Sequence, residues 1–192
     1  MISRRHMIAG CAALGGTAAF SGTAVLSGTA ALWPQTVLGA TDAAARRIAL
    51  TNLHTGERLE IEYFRDGSYA PEALAALEVL LRDFRNDRRH AIDPKLMDYL
   101  VEVAAQIGAP PEFSVISGYR SPETNERLHE RSSGVSQHSL HMQGRAIDVR
   151  MSGVDCQALA ARAEFLQRGG VGYYRGSNFV HLDTGAFRTW RG

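Results

Sequence analysis

The chain has 192 residues, of which 45% are hydrophobic, and its 21 lysines and arginines nearly balance its 20 aspartates and glutamates. This length allows one good hydrophobic core, but not two ordinary domains in addition to a leader. The formal net charge of +1 argues against the strongly basic surface by which proteins bind nucleic acid or an anionic membrane. We therefore expect one domain that binds no nucleic acid.

The first forty residues differ in composition from the rest, because they contain no aspartate or glutamate and are rich in alanine, glycine and threonine. Arg4 and Arg5 precede a weakly apolar segment, a pattern typical of a twin-arginine export signal. Several glycines and Pro34 interrupt this segment and argue against a membrane anchor. We expect residues 1–40 to be a signal peptide and residues 41–192 to form a periplasmic or secreted domain without stable membrane insertion.

The first half of the mature chain is predicted to contain a β-hairpin and two helices. Apolar residues alternate with other residues over 48–50 and 59–63, on either side of a turn that contains Gly56. The leucine spacing over 71–84 is typical of an amphipathic helix, and the segment 94–107 repeats this pattern. Two helices thus follow the hairpin.

The second half of the mature chain mixes short strands with two further helices. The predicted elements are a strand at 113–116, a helix at 122–131, a strand at 144–151, a helix at 155–167 and strands at 171–174, 178–183 and 186–190. Strands cluster at both ends of the chain, with helices between them, so the order favours an α+β fold with a small antiparallel sheet packed against helices.

The most informative stretch is SLHMQGRAIDVRM, residues 139–151. Strand alternation places Ile147 on the buried face and Asp148 on the opposite face. Gly144 permits a tight turn that would bring His141 back over the face that carries Asp148. Histidine and aspartate are good zinc ligands, although an isolated pair at this spacing is more typical of a hydrogen-bonded surface couple.

A second segment supplies a third candidate ligand. In the strand predicted over 178–183, alternation places His181 and Asp183 on one face, away from the apolar residues. Two histidines and one aspartate, with a fourth position free for water, are the layout of a catalytic zinc. The sequence therefore predicts a Zn²⁺ site formed by His141, Asp148 and His181.

The pattern SxHxxGxAxD at 139–148, followed by His181, resembles the signature of the LAS-type zinc peptidases, which include D-Ala-D-Ala carboxypeptidases. Within this group the chain is most similar to the YcbK/MepK-like murein endopeptidases, in its arginine leader and in the segments NLHTGE (52–57), SGYRSPETN (117–125), GGVGYY (169–174) and SNFVHLDTG (177–185). The resemblance implies a hedgehog/D-Ala-D-Ala peptidase-like fold, the same three zinc ligands, and a zinc-bound water that attacks a peptide bond in peptidoglycan cross-links.

The general base is not assigned by this resemblance. Many members of the wider group carry a histidine two residues, or an acid three residues, before the last ligand, whereas this chain has Phe179 and Asn178 there. Asp183 follows His181 at about 6.6 Å along a strand. It could orient the ligand, act as the base or bind substrate.

Arg120 lies in SGYRS, at the predicted junction between a strand and a helix. Its planar guanidinium suits a substrate carboxylate or a developing oxyanion, and the substrates of the resembled family carry diaminopimelate or terminal D-Ala carboxylates. The alternative is an ordinary surface salt bridge. We interpret Arg120, together with Asp183, as a catalytic candidate.

The sequence thus predicts a monomeric zinc metallopeptidase that hydrolyses amide bonds in cross-linked peptidoglycan stem peptides. Whether the bond is D,D or L,D is left open. One alternative is a non-catalytic, zinc-containing module that binds the cell wall, since hedgehog-type relatives keep the metal without evident peptidase activity. The other is a D,D-dipeptidase or carboxypeptidase that acts on small molecules.

Overall fold

The computed structural model describes residues 44–132 and 134–192. The strands are β1 (Arg46–Asn52), β2 (Arg58–Arg65), β3 (Ser68–Tyr69), β4 (Glu112–Ser117), β5 (Ala146–Arg150), β6 (Gly170–Tyr174), β7 (Phe179–Asp183) and β8 (Arg188–Arg191). The helices are α1 (Pro71–Leu80), α2 (Pro94–Ile107), α3 (Pro122–Arg131) and α4 (Cys156–Leu166), with a short 3₁₀ helix at Leu140–Gln143. In this described part of the chain, no helix has the length and apolar character needed to cross a membrane. The predicted leader lies outside the described residues.

All eight strands form one sheet in the order β3-β2-β1-β4-β5-β7-β6-β8. The predicted α+β class is confirmed, but the sheet is larger than expected and is mixed, because β1 pairs with β4 and β6 pairs with β8 in parallel. Parallel neighbours need a crossover connection, which α1 and α2 provide between β1 and β4. Residue alternation identifies a strand but not its partner, so the sequence pattern did not reveal these two pairings.

The hydrophobic core covers one face of the central strands. Helices α1, α2 and α4 contact strands of the sheet, and α2 also contacts α4. Ile147 and Val149 of β5 and Val180 and Leu182 of β7 are fully buried within this core. Because neighbouring side chains alternate across a strand, the opposite face of β5 and β7 is left for polar residues.

The predicted helix ends are confirmed at α2 and α3. The Asp93 side chain accepts a hydrogen bond from the Lys95 amide at 3.0 Å, and Gly108 ends α2 in the left-handed region with φ 76°. The Ser121 hydroxyl accepts from the Thr124 amide at 3.3 Å. Both caps match the side chains that favour a helix N-terminus.

Helix α1 ends at Leu80, short of the predicted end at Phe84. The chain instead turns at the fully buried Asp83, whose carboxylate accepts hydrogen bonds from the Ser121 amide at 3.0 Å and hydroxyl at 2.7 Å. Burial raises the pKa of Asp83, but hydrogen bonds from Thr124 and Ser121 outweigh it and hold that pKa below its usual range. Asp83 therefore ties the end of α1 to the start of α3.

A close backbone approach fixes the segment SGYRS beside the site. The Tyr119 amide donates to the Leu81 carbonyl at 2.7 Å, and a Cβ at Gly118 would lie only 2.6 Å from that carbonyl oxygen. Only glycine avoids this contact without a backbone shift. Gly118 thus allows the chain to present its own carbonyl and the Arg120 side chain to the polar face of the sheet.

Candidate metal centre

His141, Asp148 and His181 meet on the polar face of the sheet. His141 lies in the 3₁₀ helix, and Asp148 of β5 is directly opposite His181 of β7 in the antiparallel register. One ligand atom from each of the three residues lies within 4.8 Å of the other two, and all three residues are buried. The seven-residue separation between His141 and Asp148 is closed by Gly144, which adopts the left-handed conformation with φ 64°.

The hydrogen bonds of the two histidines determine which nitrogen faces the centre. His141 Nδ1 lies 2.7 Å from the Gly118 carbonyl oxygen, and His181 Nε2 lies 3.1 Å from Asp183 Oδ2. Both of these oxygens can only accept, so each outward nitrogen carries a proton when the ring is neutral. His141 Nε2 and His181 Nδ1 therefore present lone pairs to the centre.

Three electron-pair donors converge with this arrangement of protons. His181 Nδ1 lies 2.9 Å from Asp148 Oδ1 and 3.2 Å from His141 Nε2, while His141 Nε2 lies 3.3 Å from the same oxygen. Lone pairs at such short separations repel one another unless a cation or a proton lies between them. The donor set of two imidazoles and one carboxylate fits a tetrahedral metal ion with one further position.

The charges of the three residues also suit a cation. Burial raises the pKa of Asp148, but His141 and His181 outweigh it and hold the pKa far below its usual range, so the carboxyl group is ionised. Burial lowers the pKa of His141 and favours its neutral form. Burial also lowers the pKa of His181, but hydrogen bonds to Asp148 and Asp183 outweigh it and raise the pKa. Positive charge is therefore favoured at this position, and a bound metal ion would supply it in place of a second ring proton.

Asp183 lies behind His181 in the interior of the domain. Its side chain is fully buried, and Oδ1 accepts from the amides of Gly170 at 3.0 Å and Gly185 at 2.8 Å. Arg188 donates to Oδ1 at 3.1 Å and to Oδ2 at 2.7 Å. Burial raises the pKa of Asp183, but the hydrogen bonds from His181 and Arg188 outweigh it and lower the pKa well below its usual range.

The metal centre opens onto a cleft of about 480 Å³. The aromatic side chains of Tyr174, Phe179 and Trp190 line this cleft, as do residues of the loop that precedes His141. Asp183 is not among the cleft-lining residues. The aromatic rings are held together, since Tyr174 stacks on Phe179 at 4.5 Å between ring centres and the Trp190 indole donates to the Tyr174 hydroxyl at 3.0 Å.

Arg120 is a buried cation in the cleft wall. Its Nη2 lies 3.7 Å from Asp148 Oδ2, and its Nη1 donates to Asn125 Oδ1 at 3.2 Å. Within the described residues, the buried Nε of Arg120 has no hydrogen-bond partner. The guanidinium therefore places a positive charge next to the candidate metal ligands.

The comparisons with known proteins agree with this geometry. The family model described as peptidoglycan L,D-endopeptidase MepK matches residues 40–190. The chain belongs to the MepK family. The probable peptidoglycan L,D-endopeptidase MepK of Haemophilus influenzae is 40% identical over 164 residues, which are 84% of this chain and 88% of that protein. MepK of Escherichia coli K12 is 42% identical over 145 residues, 76% of this chain and 80% of that protein. No solved structure matches the chain significantly.

Most of the side chains that meet at this candidate metal centre were predicted from the sequence of this MepK-family chain. His141, Asp148 and His181 come together as expected, and Arg120 lies beside them in the cleft wall. Asp183 reaches His181 but not the cleft. Arg188 was not predicted from the sequence, although it lies two residues before Trp190, which places both on one face of the last strand.

Proposed function

We propose that this protein is a zinc-dependent L,D-endopeptidase that hydrolyses an internal amide bond in cross-linked peptidoglycan stem peptides. The observation that carries the proposal is the convergence of three buried ligand atoms on a cleft wall, in a chain of the MepK family. The choice of an L,D bond is supported by the descriptions of the family and of its relatives. The sequence alone left this choice open.

His141, Asp148 and His181 would hold the zinc, and the Gly118 carbonyl and Asp183 would fix the two imidazole rings from outside. Such hydrogen bonds to the outward nitrogen set the tautomer and the orientation of a ligating histidine. Bound zinc would supply an activated water as the nucleophile at neutral pH and would polarise the scissile carbonyl. The cleft beside it would receive the stem peptide.

For Asp183 the contacts support an orienting role rather than that of the general base. Its two oxygens accept five hydrogen bonds from Gly170, Gly185, Arg188 and His181. A general base must reach the proton that it removes, directly or through one water. Asp183 is fully buried and does not line the cleft, so it lacks that access.

For Arg120 the contacts support binding of a substrate carboxylate or of the oxyanion that develops during hydrolysis. The side chain lies in the cleft wall, with its Nη2 3.7 Å from Asp148 Oδ2. A negatively charged oxygen of a substrate bound in the cleft would be stabilised by the guanidinium.

A cell-wall substrate requires export of the enzyme. Arg4 and Arg5, followed by a weakly apolar segment, support export of residues 41–192 as a periplasmic or secreted monomer by the twin-arginine route. Replacing both arginines by lysine should retain the precursor in the cytoplasm, as measured by cell fractionation. Normal export of this double variant would contradict the proposed route.

Digestion of defined muropeptides tests the enzymatic proposal. The purified mature domain is incubated with L,D and D,D cross-linked dimers before chelation, after chelation and after return of zinc, and the products are separated by chromatography with mass detection. We expect cleavage of the L,D dimers only, its loss on chelation and its recovery with zinc; the His141→Ala variant serves as an inactive control. Binding without cleavage would favour a cell-wall binding module, and release of D-Ala from small peptides alone would favour a carboxypeptidase.

A further inference from the structure

Arg188 begins the edge strand β8 and reaches back to the carboxylate behind His181. Its two terminal nitrogens donate to the two oxygens of Asp183, at 3.1 and 2.7 Å. The Arg188 side chain is 48% exposed and lines the cleft, whereas Asp183 is fully buried. This paired contact therefore links the open cleft to the interior side of the metal centre.

The hydrogen bonds of Asp183 are divided unequally between its oxygens. The backbone amides of Gly170 and Gly185 both donate to Oδ1. Oδ2, which meets His181 Nε2, receives its only other hydrogen bond within the described residues from Arg188. The Arg188 fork therefore fixes the plane of the carboxylate and with it the position of Oδ2.

We propose that Arg188 is a positioning residue for the metal centre, one that holds His181 in its ligating orientation through Asp183. Asp183 fixes the His181 tautomer, and Arg188 fixes Asp183. This inference rests on the proposed metal site and assigns a role in metal binding to a side chain that does not itself touch the ion. Arginine is suited to this role because its planar fork matches both carboxylate oxygens, which a lysine ammonium cannot do.

The neighbouring strand β6 leaves room for this contact. A Cβ added to Gly170 would lie 2.4 Å from Asp183 Oδ2 and 2.5 Å from Arg188 Nη1. Alanine at this position would displace the fork without changing a charge. Gly170 does not have a positive φ, so alanine imposes no backbone strain there.

Trp190 packs against His181 on the side where Arg188 and Asp183 lie. Its ring centre is 5.1 Å from that of His181, and the Arg188 guanidinium carbon is 5.1 Å from the indole ring. A Cβ at Gly172 would lie 2.4 Å from the indole, so glycine at this position allows Trp190 to pack against β6. The last strand thus supplies two side chains, Arg188 and Trp190, that enclose His181 and Asp183.

Zinc affinity of the metal-free mature domain tests the proposal without use of any substrate. Competition with a chromophoric chelator gives the dissociation constant for the wild type, Arg188→Gln, Arg188→Lys and the control Arg191→Gln. Arg191 lies on the same strand but pairs with Glu164 at 2.7 Å. We expect about 10–100-fold weaker zinc binding for Arg188→Gln, the range found for residues that orient metal ligands, partial recovery for lysine, and no change for the control.

A second pair of variants adds a methyl group near the Asp183–Arg188 contact, or far from it, and leaves every charge in place. Gly170→Ala should weaken zinc binding, whereas Gly176→Ala should not, because a Cβ at Gly176 meets no atom within 4 Å. Nitrogen-15 spectra of the metal-free proteins report the His181 tautomer. At a pH high enough to keep this ring neutral, we expect a single Nε2–H form in the wild type and a mixture in Arg188→Gln and Gly170→Ala.

The outcomes distinguish this proposal from the proposed function. Wild-type zinc affinity in Arg188→Gln, or an unchanged His181 tautomer, would overturn the role of Arg188 whether or not the enzyme cleaves muropeptides. If the wild type binds zinc and Arg188→Gln binds it weakly with an altered His181 tautomer, the positioning role stands even when no substrate is cut. If Arg188→Gln shows no cooperative unfolding transition, Arg188→Lys decides the question by the same measurements. Absence of zinc binding by the wild type would overturn the proposal outright.

Discussion

Replacement of Asp183 by asparagine separates an orienting carboxylate from a general base. The change keeps the shape of the side chain but replaces one oxygen by an NH₂ group, which donates and cannot accept. An NH₂ group at the Oδ1 position would face the amides of Gly170 and Gly185, which cannot move away. We therefore expect the amide nitrogen to take the Oδ2 position, facing His181 and Arg188.

The expected magnitude follows from the contacts at Oδ2. Arg188 is half exposed, so its lost hydrogen bond is replaced by water at little cost. The hydrogen bond from His181 is buried, and loss of a hydrogen bond to a charged group costs about 1.5–3 kcal/mol. His181 can relieve the conflict by moving its proton to Nδ1, which removes the lone pair that faces the metal position. We expect zinc affinity to fall by about 10–100-fold.

The assay measures zinc affinity by chelator competition and turnover of L,D cross-linked muropeptides over a range of zinc concentrations. For an orienting carboxylate, Asp183→Asn should bind zinc weakly and should regain much of its turnover when zinc is added. Asp66→Asn is a matched control, because Asp66 is exposed and its left-handed φ of 50° is one that asparagine tolerates. Normal zinc affinity with turnover abolished at every zinc concentration would refute this reasoning and identify Asp183 as the base.

Three further substitutions test other parts of the site and of the fold. His141→Ala should abolish hydrolysis but retain a cooperative thermal transition, and loss of that transition would indicate a structural metal. Arg120→Lys should bind zinc normally but lower turnover by about 10²–10³-fold; unchanged turnover would exclude Arg120 from the mechanism. Asp83→Asn should lower the free energy of unfolding by about 1.5–3 kcal/mol at neutral pH. Folding lowers the pKa of Asp83. Denaturant titrations should therefore show the full difference in free energy of unfolding above the unfolded pKa of about 4, and its loss as the pH falls through the lower folded pKa. A constant difference down to acid pH would contradict the assignment.

The sequence predicted that His141, Asp148 and His181 are candidate ligands because each of them follows from a local rule. Alternation along β5 and β7 separates Asp148 and His181 from the core residues beside them, and a glycine marks the turn that returns His141 to the strand. These rules act over fewer than ten residues and determine which face of its strand each side chain occupies. The contact between Asp148 and His181 additionally requires the pairing of β5 with β7.

The sequence could not predict the surroundings of Asp183 because they depend on the order of strands in the sheet. Strand β6 lies between β7 and β8, which brings Gly170, Asp183 and Arg188 together from three separate strands. The parallel pairing of β6 with β8 sets the register of Arg188 beside Gly170. No spacing within the chain indicates that register, so the sequence alone did not decide among the roles of orienting group, base and substrate ligand for Asp183.

The separation of the core from the metal centre favours a catalytic over a structural metal. Ile147 and Leu182 are fully buried on the helix side of the sheet, whereas their neighbours Asp148 and His181 face the cleft. The buried apolar side chains that stabilise the domain therefore do not include the candidate ligands. An ion held by these three residues could therefore be removed or exchanged without loss of this core. Such an ion would face the cleft in which a stem peptide would bind.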